Sequence, residues 1–286
     1  MILKNKIFGG IRSKGIFKNG GKIKPLITVV TVVLNGEKYL EEAILSIINQ
    51  TYDNVEYIII DGGSTDGTID IIHKYEDLID FWISEKDSGI YSAMNKGIAL
   101  SRGDFVGFMG SNDYLYLNSL EKIARASEKD TIDYTVGPVD IIKENGELEE
   151  KILVLPNFLS NNRYIFDMAT HHLSFYISRK IINDIKFFDE NLKIRSDYDM
   201  TIRVISSSKK YFSFIDSIGA FRKGGISGSY KSYFENFLIL KKHGVSIYKS
   251  ILNILLSLIK VFVINNFPSS IIKLLREKFS SGRFIK

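Results

Sequence analysis

Residues 26–33 (LITVVTVV) form an unbroken, largely β-branched run, the pattern of a strand buried on both faces of a parallel sheet. Asn35-Gly36 ends the run. From Glu37 onward Tyr39, Leu40, Ala43, Ile44, Ile47 and Ile48 recur on one face of a helix. Residues 57–60 (YIII) predict a second buried strand, which enters Asp61-Gly62-Gly63-Ser64, and 65–75 reads as the next helix. Phe81–Ser84 is a short strand and 89–100 a helix. The stretch 104–109 (DFVGFM) is a further strand that stops at Gly110-Ser111-Asn112-Asp113. Alternation of strand and helix at this spacing predicts an α/β fold with crossover helices on a mostly parallel sheet. No internal repeat or low-complexity tract interrupts it.

The longest apolar segment comes late, at 250–264 (SILNILLSLIKVFVI). Lys249, Asn253, Ser257 and Lys260 recur on one narrow helical stripe, and Leu, Ile, Val and Phe fill the rest of the circumference. Two lysines, then Asn265-Asn266 and Pro268, argue against a spanning helix. The segment predicts a helix lying in a membrane interface, with an ordinary helix packed on the domain as the alternative.

Charge sharpens this picture. The net charge is +5, yet residues 1–24 carry +7 with no acid and 241–286 carry +8, which leaves −10 on the body between them. An acidic body argues against a nucleic-acid-binding surface, whereas basic ends suit an anionic membrane. The expected division is a flexible basic arm over 1–24, one domain over 25–240, and a basic amphipathic helical C-terminus over 241–286. The glycine-broken opening has no apolar core of a secretory signal. Of the 286 residues, 45% are hydrophobic and 25% charged, enough apolar material for a sizeable core. The absence of cysteine excludes a disulfide framework, a thiolate metal site and a cysteine nucleophile.

In open α/β sheets, ligands bind beyond the carboxyl ends of the strands. Three polar clusters fall at such ends: Asn35, Asp61–Ser64 and Asn112-Asp113. A carboxylate such as Asp113, in a turn eased by Gly110, suits a hard divalent cation whose shell is completed by phosphate oxygens. Each cluster also has a purely structural reading. Asp61 can cap a turn, Asp66 can support the following helix, and Asn112-Asp113 can form an Asx turn. No GxGxxG follows a strand, and GxxxxGK[ST], GxSxG and HExxH are all missing, which disfavours dinucleotide dehydrogenases and excludes P-loop NTPases. Of His171-His172, one is expected to be functional and the other to pack. Trp82 is expected in the core, with His73 and His243 on the surface.

The run TVVTVVLNGEKYLEEAILSIINQTYDNVEYIIIDGGSTDGT resembles the opening of the family 2 glycosyltransferases. The likeness continues through SEKDSGIYSAMNKGIALSRGDFVGFMGSND and reappears at THHLSFYISRK, FFDENLKIRSDYDMTIR and FRKGGIS, so that it covers roughly 25–228. The resemblance implies a single GT-A-type, Rossmann-like domain and inverting transfer of a sugar from a nucleotide donor, a UDP-sugar by preference. The acceptor it implies is a saccharide or lipid-linked molecule, in bacterial cell-surface polysaccharide assembly. It further implies that Asn35 and Asp61 border the base and ribose, and that Asp87 and Asn95 line the donor pocket with Gly89 beside them. Asn112 and Asp113 fall at the acidic pair of the family, with Asp113 ligating Mn²⁺ or Mg²⁺. His171 is implied near acceptor and diphosphate, Asp197 as catalytic base with Arg203 following, and Gly224–Ser227 as a loop over the donor. Asp199 is the fallback base.

Three positions depart from the family pattern. Gly62 stands where many members have a second Asp, Asn112 replaces an acid, and Ser92 replaces a frequent Asp. These losses motivate a competing reading, a catalytically weak nucleotide-sugar-binding module acting through partners, against which the intact segment around Asp197 argues. A sugar nucleotidyltransferase is disfavoured because Leu34-Asn35-Gly36-Glu37 offers no phosphate cradle. The expected location is cytoplasmic, peripheral on the inner face of the membrane.

Overall fold

The β-branched runs become the centre of the molecule. A computed structural model describes residues 6–21, 23–129, 132–152, 165, 170–223 and 230–266. Among these, twelve strands form two sheets: β1 (Ile7–Gly9), β2 (Ile27–Val33), β3 (Val55–Asp61), β4 (Phe81–Ser84), β5 (Phe105–Gly110), β6 (Tyr114–Leu115), β7 (Tyr134–Val136), β8 (Val139–Ile142), β9 (Leu148–Ile152), β10 (Ile177–Ser178), β11 (Tyr211–Ser213) and β12 (Gly219–Arg222). Eight α-helices accompany them: α1 (Leu40–Ile48), α2 (Thr68–Lys74), α3 (Ile90–Leu100), α4 (Ser119–Lys129), α5 (Arg179–Asp184), α6 (Ser196–Ser207), α7 (Tyr230–Lys242) and α8 (Ile247–Asn266).

The main sheet has the order β1-β4-β3-β2-β5-β10-β7-β11. β4, β3, β2, β5, β7 and β11 run parallel, while β1 and β10 are antiparallel to their neighbours. Every residue of β2 and β3 is buried. Side chains alternate across the pleat, so Val30 and Val32 meet α3 and α6 on one face. Ile27, Val29 and Val33 meet α1 and α4 on the other. Helix α3 sits close against β2, and a Cβ on Gly97 would come 2.3 Å from Val30 Cγ1. Trp82 is buried, as expected. The smaller sheet, β6-β12-β8-β9, follows the last central strand. Because β4, β3, β2 and β5 are adjacent and parallel, their carboxyl ends gather the predicted polar clusters along one edge.

The structure differs over the N-terminus. The described part of 1–24 is not a free arm: Ile7–Gly9 pair with β4, and a 3₁₀ turn follows over Ile11–Lys14. The reason is electrostatic. Arg12 lies 3.3 Å from Glu56 and Lys18 lies 2.8 Å from Asp80, two carboxylates almost wholly removed from solvent. A buried carboxylate is costly unless it is paired, so the basic opening neutralises part of the acidic body.

α8 departs from ordinary amphipathic packing. Ser250 is buried and Asn253 and Ser257 are half-buried, whereas Ile251, Leu252, Leu255, Leu256, Ile259 and Phe262 are exposed. The inward serines satisfy their hydroxyls within the helix, Ser250 on Ser246 O and Ser257 on Asn253 O. Among the described residues no helix is long and apolar enough to cross a membrane.

Candidate active site

Asn35 ends the first central strand with φ 52°, a left-handed conformation that Asn tolerates better than most residues. Its Oδ1 accepts the Thr65 N–H at 2.9 Å, and its own N–H donates to Ser64 Oγ at 2.7 Å. Asp61 is fully buried. It accepts the N–H groups of Gly63 and Ser64, both at 3.0 Å, the Ser84 hydroxyl at 2.6 Å and the Ser64 hydroxyl. Its carboxylate therefore shapes the strand-end loop from within.

Asp87 closes the same rim. Its Oδ1 accepts the N–H of Gly89, which begins α3 with φ 129°, a conformation open to glycine. A Cβ at Gly62 would lie 2.8 Å from Asp87 Oδ2. Glycine at 62 thus leaves room for the Asp87 carboxylate. Asn95 is turned elsewhere: its amide donates to Phe188 O and Glu190 Oε1 and accepts the Phe188 N–H, so it props the 188–190 turn. Through that turn Glu190 reaches the start of α3, where its Oε2 accepts the Ser88 hydroxyl at 3.3 Å. The Asn95 amide, with Ser92 and Ser88, holds the Glu190 carboxyl below its ordinary range against the opposing effect of burial. A carboxylate thus stands beside Ser92.

Asp113 is buried at the end of β5. Its Oδ2 accepts the Gly110 N–H at 3.0 Å and lies 3.4 Å from His172 Nε2, and its Oδ1 faces the Arg222 N–H at 3.4 Å. Asn112 donates to Arg222 O at 3.2 Å. The two histidines do not diverge as they would on a strand. His171 caps the 3₁₀ turn His172–Ser174, the ring centroids are 4.1 Å apart, and His171 packs on Phe221. His172 is the one that reaches Asp113. Among the described residues no group of three or more His, Asp or Glu side chains comes together as a ready-made metal site. One carboxylate beside one imidazole fits a cation held largely by diphosphate oxygens, with few protein ligands.

Asp197 and Asp199 share α6 but not an environment. Asp197 is half-buried; its Oδ1 accepts the Tyr198 N–H at 2.9 Å and lies 3.1 Å from the Tyr91 hydroxyl. Its Oδ2 has no hydrogen-bond partner among the described residues. Asp199 is fully buried, with Arg203 Nε at 2.9 Å, Lys242 Nζ at 3.1 Å and His243 Nε2 at 2.9 Å. Arg203 also donates to Phe187 O at 3.0 Å. His243, expected on the surface, is drawn inward by this buried carboxylate.

The clusters form a continuous rim. Asn35, Asp61 and Asp87 are joined through the 61–65 loop. A Cβ on Gly36 would lie 3.0 Å from Ser111 Oγ, which brings the first and third strand ends together. Tyr91, on the helix that Asp87 introduces, reaches Asp197. Tyr91, Glu190 and Arg222 were not singled out in the sequence, and His172 stood there only as one of a pair. Tyr91 stands in the GIYSAMN run and His172 in the adjacent pair, but Glu190 and Arg222 act through contacts with residues distant in sequence. Gly224–Ser227 lies outside the described residues.

A polar rim at the carboxyl edge of a parallel sheet is where open α/β folds bind their ligands. The sequence model described as "Glycosyl transferase family 2" matches residues 28–192, and the chain belongs to that family. The putative teichuronic acid biosynthesis glycosyltransferase TuaG of Bacillus subtilis is 28% identical over 177 residues, 61% of this chain and 69% of that protein. The chain spans about a third of the length of the curated "Uncharacterized glycosyltransferase" proteins of Rickettsia felis and Rickettsia bellii, which it matches at 28% and 29% identity. Residues 1–349 of S. aureus TarS, solved with UDP-GlcNAc, superpose with TM-score 0.62 at 20% identity, covering 80% of this chain and 70% of that one. A mannosyltransferase from Pyrobaculum calidifontis, solved with GDP-Man and Mn²⁺, gives TM-score 0.55 at 14% identity, covering 94% and 84%. The fold is GT-A-type, and residues 28–192 carry the family 2 glycosyltransferase domain.

Proposed function

We propose that this glycosyltransferase moves a sugar from a nucleoside diphosphate donor, a UDP-sugar, to a saccharide or lipid-linked acceptor with inversion at the anomeric carbon. The observation that carries the reading is the contrast within α6. Asp199 is locked by three side chains, whereas Asp197 keeps one oxygen without a hydrogen-bond partner among the described residues, its other oxygen lying 3.1 Å from the Tyr91 hydroxyl on α3. A half-buried carboxylate with an oxygen not held by the described residues can accept a proton, and this supports catalysis over a binding module.

A sugar hydroxyl is a weak nucleophile at neutral pH, so Asp197 Oδ2 takes its proton as the hydroxyl oxygen bonds to the anomeric carbon. The bond from that carbon to the diphosphate oxygen breaks, and its electron pair leaves with the nucleoside diphosphate. One direct displacement inverts the centre. Asn35, Asp61 and Asp87 shape the nucleotide and donor side of the rim, and holding both sugars in line lowers the entropic barrier. Asn95 acts through the turn it supports. Asp113, with His172 beside it and His171 and Asn112 adjacent, would hold Mn²⁺ or Mg²⁺. Such a cation offsets the negative charge that develops on the departing diphosphate.

The acceptor side of the proposal draws on α8. Its outward apolar face and the basic residues of 241–286 suit peripheral attachment to an anionic membrane, where a lipid-linked acceptor resides. The UDP preference and the setting in surface-polysaccharide assembly draw on TarS and TuaG. A thermal-shift titration with UDP, GDP, dTDP and CMP, each with and without Mn²⁺, tests the donor site. Stabilisation by UDP that grows with Mn²⁺ is expected, about 2.7 kcal/mol at a hundredfold excess over Kd. Folded protein that responds to none of the four contradicts the reading.

A further inference from the structure

Glu235, on α7, is 9% exposed and has no cationic partner among the described residues. Its two oxygens instead accept three consecutive backbone N–H groups, those of Lys193 at 2.7 Å, Ile194 at 2.9 Å and Arg195 at 2.8 Å. These residues lead directly into α6, whose second residue is Asp197. The carboxylate also faces the positive end of that helix, which favours its charge. From the opposite side Tyr91 donates to Ile194 O at 2.7 Å. The segment before Asp197 is thus gripped through its N–H groups by α7 and through a carbonyl by α3.

We propose that Glu235 is a positioning residue for sugar transfer: by clamping 193–195 it fixes the first turn of α6, so that Asp197 Oδ2 faces the acceptor hydroxyl. The proposal rests on the reading of Asp197 as the base. Displacing a reacting group by about 1 Å costs on the order of 100-fold in rate, so a backbone clamp at this point acts on turnover more than on donor binding. Glutamine has the same shape but one acceptor oxygen. Its amide N–H₂ would confront backbone N–H groups, and the clamp would lose at least one of its three bonds.

The test compares wild type, Glu235→Gln, Asp197→Asn and Arg12→Ala. Turnover is followed as UDP release from UDP-GlcNAc with water as acceptor, or from the sugar of whichever nucleoside diphosphate the titration selects. UDP affinity and hydrogen exchange at amides 193–195 are measured on the same proteins. Arg12→Ala breaks the buried pair with Glu56, away from α6 and α7, and controls for lost stability. Glu235→Gln is expected to lower kcat about 100-fold with KM for the donor and UDP affinity unchanged, and to speed exchange at 193–195. Arg12→Ala is expected to melt earlier yet turn over at close to the wild-type rate. Wild-type kcat in Glu235→Gln, with Asp197→Asn inactive, overturns the proposal alone. A loss of kcat matched by lost UDP affinity, or an equal loss in Arg12→Ala, reduces Glu235 to a structural role. Full turnover in Asp197→Asn overturns the base assignment and this proposal together.

Discussion

Asp199 has no access to solvent, yet Arg203, Lys242 and His243 all converge on it. Burial pushes its carboxyl up. The hydrogen bond from His243 and the charges of Arg203 and Lys242 outweigh burial and hold it down at about 2. A carboxyl depressed in the folded state stabilises the fold above its unfolded pKa of about 3.9, and that stability is lost as pH falls through the folded value. Asp199→Asn is therefore expected to cost about 2 kcal/mol at neutral pH. The gap to wild type should close as pH falls from about 4 to about 2 in denaturant-melting curves. A gap that stays constant across that range would contradict the assignment. Half of this cluster was legible in the sequence, because Asp199 and Arg203 are four residues apart on one helix. His243 was not, since nothing local to a single histidine announces a partner on α6. The same limit hid Glu235, whose partners are backbone N–H groups and leave no side-chain pattern.

At the scale of elements, the sequence announced strands where burial was two-sided and failed where pairing was long-range. The runs that became β2 and β3 carry their signal in every residue. Ile7–Gly9, by contrast, is three residues among glycines and lysines, and it becomes a strand only because β4 offers an edge. Its retention depends on Arg12, which bonds Leu100 O at 2.9 Å as well as Glu56. Deleting 1–18 is expected to leave Glu56 and Asp80 buried without their cations and to lower the melting temperature, with Arg12→Ala costing about 1–3 kcal/mol by itself. Unchanged melting in the deletion would restore the picture of a free arm. The clusters at the carboxyl ends of β2, β3 and β5 were foreseeable because parallel strands must end together. The stitching of α3 to α6 through Tyr91 was not, because it joins segments more than a hundred residues apart.

Across the whole molecule, charge and apolar surface point the same way. The acidic body receives the basic N-terminus into its own structure, whereas α8 turns a row of leucines, isoleucines and a phenylalanine outward. Exposed apolar surface on that scale marks an interaction face. Sedimentation with vesicles containing anionic lipid is expected to carry down the full chain but not a form lacking 245–286, and added salt should weaken the binding. Equal sedimentation of both forms would remove the membrane from the account. Donor, base and acceptor meet only in turnover, and the most direct measurement is the donor Kd and kcat of Asp197→Asn beside wild type. An unchanged Kd for the nucleoside diphosphate is expected, with a fall in kcat of about 100- to 10,000-fold. Wild-type kcat in that variant would contradict it.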